Sequence, residues 1–139
     1  MLTLWLCMLL LPCNPDQESY LLNVNIWKYR SGIAKLRCSA HTLRIEKGRH
    51  VNELVADRVC KLCTKNDNFI LEDEYHFILC CPAFVDLRTT YLPELAVAQP
   101  SYNAFIELFK DDDATNQRNM AQYIFHASKL RGELLKDLL

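Results

Sequence analysis

The sequence predicts a mainly α fold in which helices flank a small, irregular, cysteine-rich knuckle. Three observations predict it. Apolar residues recur at helical steps on both sides of the chain's middle. Breakers are scarce, with three glycines and five prolines in 139 residues. Residues 58 to 82 lose the periodicity, and four of the seven cysteines lie there beside a histidine.

Met1 to Leu11, MLTLWLCMLLL, is an apolar run ending at the breakers Pro12 and Pro15. It is too short to span a bilayer, and it lacks both the basic n-region of a signal peptide and a small-residue cleavage site. Residues 1–19 are therefore expected to lie outside the domain, as a buried or vestigial segment. Cleavage of that run would instead make this a small secreted protein.

Residues 20–57 are expected to be a basic helical segment. Ile26, Tyr29, Ile33, Leu36, Ala40 and Leu43 recur at steps of 3, 4, 3, 4 and 3, a helical seam from Asn25 that Gly32 weakens and Gly48 stops. Arg30, Arg37 and Arg44 follow Tyr29, Leu36 and Leu43 at intervals of seven, which on one helix makes a basic ridge. Further on, helices are expected over Pro82 to about Tyr91 and over Ser101 to Phe109. A last helix runs from about Ala114 to the end, through Met120, Ile124, Ala127, Leu130, Leu134 and Leu138. Asp111 to Asp113 supply its cap and its favourable charge.

The net charge of -1 conceals an asymmetry. Residues 26 to 65 carry ten Lys or Arg against three acids, whereas residues 66 to 139 carry six against twelve. The basic half is the candidate partner surface. Arg30, Lys35, Arg37, Arg44, Lys47 and Arg49 are its candidate phosphate contacts, and Trp27 and Tyr29 could stack on bases. The alternatives are a solvated, salt-bridged face, arginine stems laid over apolar side chains, and aromatics in the core.

An odd number of cysteines, clustered beside a histidine, argues for a metal site in a reducing compartment over a secreted disulfide framework. Cys60, Cys63, His76 and Cys81 form the pattern C-x2-C-x12-H-x4-C. Three thiolates and an imidazole suit tetrahedral Zn²⁺, and four protein ligands leave no place for a catalytic water. The residues expected to hold it define a module at 58–95, followed by C-terminal helices at 96–139. Cys80 competes with Cys81 for the fourth place: it lies at i+4 from His76 on a continuous helix, whereas Cys81 requires the helix to tighten or stop. One of Glu72, Asp73 and Glu74 is expected to orient the His76 ring.

The run Leu71-Glu72-Asp73-Glu74-Tyr75-His76-Phe77-Ile78-Leu79-Cys80-Cys81-Pro82, preceded by Arg58-Val59-Cys60-Lys61-Leu62-Cys63, resembles the zinc-binding domain at the carboxyl end of non-LTR retrotransposon reverse transcriptases. The stretch Lys35 to Arg49 is similar to the segment that precedes those ligands, and Tyr123 to Arg131 is similar to the domain's ending. The resemblance runs from about Tyr20 onward. It implies a non-catalytic tail that holds template RNA or target DNA beside the rest of a reverse transcriptase polyprotein, inside the cell in nucleus or cytoplasm. The first 15 residues depart from it, as expected of a truncated or re-started reading frame.

No enzyme is expected. Phe109-Lys110-Asp111-Asp112 matches the aromatic-x-Asp-Asp motif of reverse transcriptases only superficially, because it joins two helices and lacks a palm domain around it. No GxSxG, HExxH or P-loop pattern occurs. His41, His50 and His126 lack the partners a catalytic base needs. Neither a small-molecule substrate nor a membrane partner is expected. The other reading of the same residues is an intracellular, zinc-stabilised protein-interaction module.

Overall fold

The computed structural model describes residues 18–139. Their regular structure is helical, with no strand and a single isolated bridge between Val59 and Leu71. The fold is mainly α with a small Cys/His cluster flanked by helices, as the spacing predicts. In chain order the helices are α1 (Tyr20–Asn23), α2 (Trp27–Arg37), α3 (Arg44–His50) and α4 (Lys61–Thr64), then α5 (Val85–Tyr91), α6 (Glu94–Ala98), α7 (Tyr102–Lys110) and α8 (Ala114–Lys136). The Met1 to Leu11 run lies outside the described residues. No helix among the described residues is long and apolar enough to cross a membrane.

Helix α8 is the spine, and α1, α2, α4 and α5 all pack on it. It buries Met120, Ala121, Tyr123, Ile124 and Ala127 along one face, at the helical steps the sequence shows. Each large side chain so buried contributes about 1.5–3 kcal/mol. Its start is capped as expected: Asp113 Oδ1 accepts from the Asn116 amide at 2.9 Å. Ser101 does the same for α7 through the Ala104 amide. Leu138 falls beyond the end of α8 and is exposed.

The single helix expected from Asn25 to Gly48 is instead two. Helix α2 stops because Ser39 takes the left-handed conformation, with φ 52. That turn lets the Ala40 amide reach back to Lys35 O at 2.8 Å and the Ser39 amide to Leu36 O at 3.3 Å, the paired bonds that close a helix C-terminus. Glycine usually occupies that position, and serine there hides the stop. Ala40 leaves the seam and is exposed. Helix α3 then begins on a distant cap: the Arg44 amide donates to Glu72 Oε2 at 2.8 Å and the Ile45 amide to Glu72 O at 3.0 Å.

Packing also reaches further towards the amino terminus than residue 20. Glu18 pairs with Arg37 at 2.6 Å, and Ser19 Oγ bonds Asp112 and Gln117 at the start of α8.

Gly48 lies inside α3 and does not end it. A Cβ built there would fall 2.6 and 2.8 Å from Arg58 Cγ and Cδ and 2.4 Å from Glu53 Oε2. The Arg58 side chain is buried and fixed, donating to Ile45 O and twice to Glu53 O. Glycine-to-alanine changes in helix interiors ordinarily stabilise by up to about 1 kcal/mol. Here Gly48→Ala will destabilise by about 1–3 kcal/mol, because the arginine stem cannot yield. The urea midpoint will fall; a rise would show that Arg58 moves freely.

Candidate metal centre

Two short turns bring the ligands together. Around the Val59–Leu71 bridge, the Cys60 amide donates to Ile70 O at 2.7 Å and the Glu72 amide to Arg58 O at 3.0 Å, closing the loop between them. Within it, α4 places Cys60 and Cys63 three residues apart on one face. Thr64 holds the turn, donating from both its amide and its hydroxyl to Cys60 O.

The second turn is a π-helix over His76–Cys80. Asp73 starts it, its Oδ1 accepting the His76 amide at 2.8 Å, and the Cys81 amide closes it on His76 O at 2.7 Å. In an α-helix a residue five positions on lies about 140° around the axis. The wider π turn brings Cys81 back towards the face of His76. The helix thus widens where tightening or termination was expected. Cys81 joins the cluster, and half-buried Cys80 points elsewhere.

Side chains from α5 and α8 satisfy the carbonyls this turn leaves over. The carbonyl after His76 O in the π ladder faces Pro82, which has no N–H. Tyr123 OH donates to it, Phe77 O, at 2.7 Å. The buried Arg88 guanidinium donates to Ile78 O at 3.1 Å and Cys81 O at 2.7 Å. Neither Tyr123 nor Arg88 is marked for this role by the sequence around it. Pro82 signals the missing donor, but nothing local says what replaces it.

The four donor atoms of Cys60, Cys63, His76 and Cys81 lie within 4.8 Å of one another, and all four residues are buried. Cys63 Sγ is 3.4 Å from His76 Nε2 and 3.9 Å from Cys81 Sγ. A tetrahedral ion with bonds of about 2.3 Å to sulfur and 2.05 Å to nitrogen needs edges of about 3.6 and 3.8 Å. The quartet therefore fits a metal ion, and four protein donors leave such an ion no open position.

Burial and mutual contact set the three thiols apart in charge. A hydrogen bond from the Cys81 thiol, with help from His76, holds Cys60 down at about 3. Burial and the Cys60 charge push Cys63 up to about 11. Cys81 is raised by its bond to Cys60 and by burial. One thiolate is tolerated and further ones are not, which is the environment a divalent cation relieves.

The carboxylate expected to orient the His76 ring does not do so. Glu72 engages Arg131 and the α3 amides, Asp73 takes the His76 main-chain amide, and Glu74 pairs with His41 Nε2 at 2.8 Å. His76 Nδ1 is buried without a hydrogen-bond partner. His126 stacks on Tyr91, and His50 is exposed. Asp111 binds the Asp113 amide and Asn116, so the Phe109–Asp112 stretch caps a helix.

The expected basic ridge is not continuous, because α2 ends at Arg37 and Arg44 belongs to α3. Arg30 donates to Leu21 O at 3.1 Å. Arg37 pairs with Glu18, donates to Phe109 O and lies over the Tyr20 and Phe109 rings. Arg44 pairs with Glu53, and Arg49 with Glu46 at 2.6 Å. Arg30, Arg37 and Arg44 thus bind groups outside their own helices, Arg37 with its guanidinium over aromatic rings, whereas exposed Arg49 pairs within α3, the salt-bridged-face alternative. Lys35 and Lys47 are exposed. Tyr29 packs edge-on against Phe125 at 5.1 Å, whereas Trp27 is 72% exposed.

The fold and site together define a helical protein built around a buried Cys/His cluster able to hold a metal ion. Compared with protein-family models, curated proteins and solved structures, the chain matches none.

Proposed function

We propose that this chain is a non-catalytic, zinc-stapled nucleic-acid-binding module of the kind that ends non-LTR retrotransposon reverse transcriptases. The observation that carries the reading is the buried quartet of Cys60, Cys63, His76 and Cys81, whose donor atoms are spaced for one tetrahedral ion. Three sulfurs and a nitrogen favour Zn²⁺ over the oxygen-seeking Mg²⁺ and Ca²⁺. Zinc there supplies cohesion, because the donor set is complete. The same thiols belong in a reducing compartment, the nucleus or cytoplasm. The partners are RNA or DNA and the remainder of a reverse transcriptase polyprotein.

Native mass spectrometry with metal analysis tests the zinc. Wild type and Cys80→Ser will carry one zinc per chain, and Cys81→Ser will lose it. A wild-type chain without zinc would overturn the reading. Its nucleic-acid half predicts binding to RNA or DNA that weakens steeply as salt rises. A protein-interaction module is the second reading, favoured by the exposed apolar side chains of Val51, Leu54 and Phe69 near the knuckle. No nucleic-acid binding even at low salt would decide for it.

A further inference from the structure

A cleft of about 430 Å³ opens between α2, the segment joining it to α3, and the middle of α8. Leu36, Phe77 and Ile124 line it with apolar surface, and Trp27 and Phe125 line it with aromatic rings. Gly32 lets the two helices close on each other, since a Cβ there would lie 2.9 Å from Ile124 Cγ2. Lys28, Lys35 and Lys129 are its exposed cations, and none has a carboxylate within salt-bridge distance among the described residues. No Asp or Glu lines the cleft. The other basic groups in it, Arg131 and His41, are already paired with Glu72 and Glu74.

Those features belong to one kind of ligand. Three unneutralised ammonium groups call for phosphates. An apolar cleft beside an exposed indole calls for a flat, apolar face, and each group alone would suit other partners. Together they match unpaired bases strung on a phosphate backbone, where stacking on an aromatic contributes about 1–3 kcal/mol per base. A duplex offers the phosphates but keeps its base faces covered. Lys28 is held at the cleft by the Tyr29 and Phe125 rings, with Nζ 5.0 Å from each centroid, which leaves its charge directed but not neutralised.

Resting on the nucleic-acid reading above, we infer that this cleft is a binding site for single-stranded nucleic acid. Trp27 stacks a base at its mouth, and Lys28, Lys35 and Lys129 hold the adjoining phosphates. None of the arginines the sequence singles out lines the site, which joins residues of α2 to Lys129 of α8, about a hundred positions on.

The test is fluorescence anisotropy of a labelled oligouridine twelve-mer with the zinc-loaded full chain at low salt. Changing Lys28, Lys35 and Lys129 together to Gln will weaken binding about thirtyfold or more, and will lower the slope of log affinity against log salt by about 2. Trp27→Ala will cost roughly fivefold to a hundredfold, and Trp27→Phe will recover most of it. The matched control, Lys65, Lys110 and Lys136 changed together to Gln, removes the same charge from exposed positions outside the cleft. It will cost much less. Uridine monophosphate at the same phosphate concentration will compete poorly, as will a duplex of equal length.

Equal losses in the two lysine triples would overturn the cleft assignment and leave general nucleic-acid binding standing. Equal competition by the duplex or by the mononucleotide would also overturn it. A wild-type chain that binds no nucleic acid at low salt would remove both the cleft and the reading beneath it. Thermal melting of each variant within a few degrees of wild type keeps misfolding out of the comparison.

Discussion

Chelating the proposed zinc, or changing Cys60 to Ser, will unfold residues 58 to 82 and loosen the helices packed on them. The turns that carry the ligands are a four-residue helix and a five-residue π turn. Both are far below the length at which a helix holds itself in water. Against that, a structural zinc supplies an apparent binding free energy of about 10–16 kcal/mol, more than the whole stability of many domains of this size. The loss will spread, because Tyr123 of α8 and Arg88 of α5 are bonded to carbonyls of the second turn. Far-UV circular dichroism will lose helical signal, and limited proteolysis will open first between residues 58 and 82. A melting temperature and cleavage pattern indifferent to chelator would show that the apolar core alone holds the knuckle.

The same experiment has a pH dependence whose sign follows from the thiols. In the metal-free fold Cys63, raised to about 11, and Cys81, raised by its bond to Cys60 and by burial, are both protonated at neutral pH. Binding the ion releases at least these two protons, so metal affinity will fall about a hundredfold or more for each unit of pH lowered. Without metal, these two thiols act in the opposite sense. Their pKa values in the fold lie above the ordinary 9.0, so the unfolded chain ionises first as pH rises. Any fold of the knuckle that survives chelation therefore loses stability on that account above about pH 9. Cys60, held to about 3, contributes stability that is present above its ordinary value and lost as pH falls through the lower one.

The ligand quartet was legible because metal chemistry restricts both residue type and spacing. Helices α7 and α8 were legible because Ser101 and Asp113 cap them locally and their apolar faces keep step. What escaped depends on partners far away in sequence. The end of α2 rests on Ser39 in a conformation usually marked by glycine. The start of α3 is capped by Glu72, 28 positions on. The π turn that decides between Cys80 and Cys81 depends on Asp73 at one end and on Tyr123 and Arg88 at the other. The arginine series misled for a related reason: a spacing of seven describes a face only while the helix continues.

Arg131→Ala will be among the most damaging single changes outside the metal ligands. Arg131 grips Glu72 through two bonds, Nε to Oε1 at 2.7 Å and Nη2 to Oε2 at 2.8 Å, across 59 positions of sequence. Glu72 is 2% exposed, so its remaining partner, the Arg44 amide, would face an almost fully buried carboxylate alone. Removing one member of such a pair costs about 3–5 kcal/mol, chiefly because the other charge is stranded. Replacing both, as Glu72→Gln with Arg131→Met, will cost less than the two single changes added together, with a coupling of about 1–3 kcal/mol. Urea denaturation of the four proteins reads that coupling directly, and simple additivity would mean that the pair is not one unit. Glu72 also caps α3 and stands four residues before His76. Loosening it will therefore weaken metal retention in Arg131→Ala, although that residue touches no ligand.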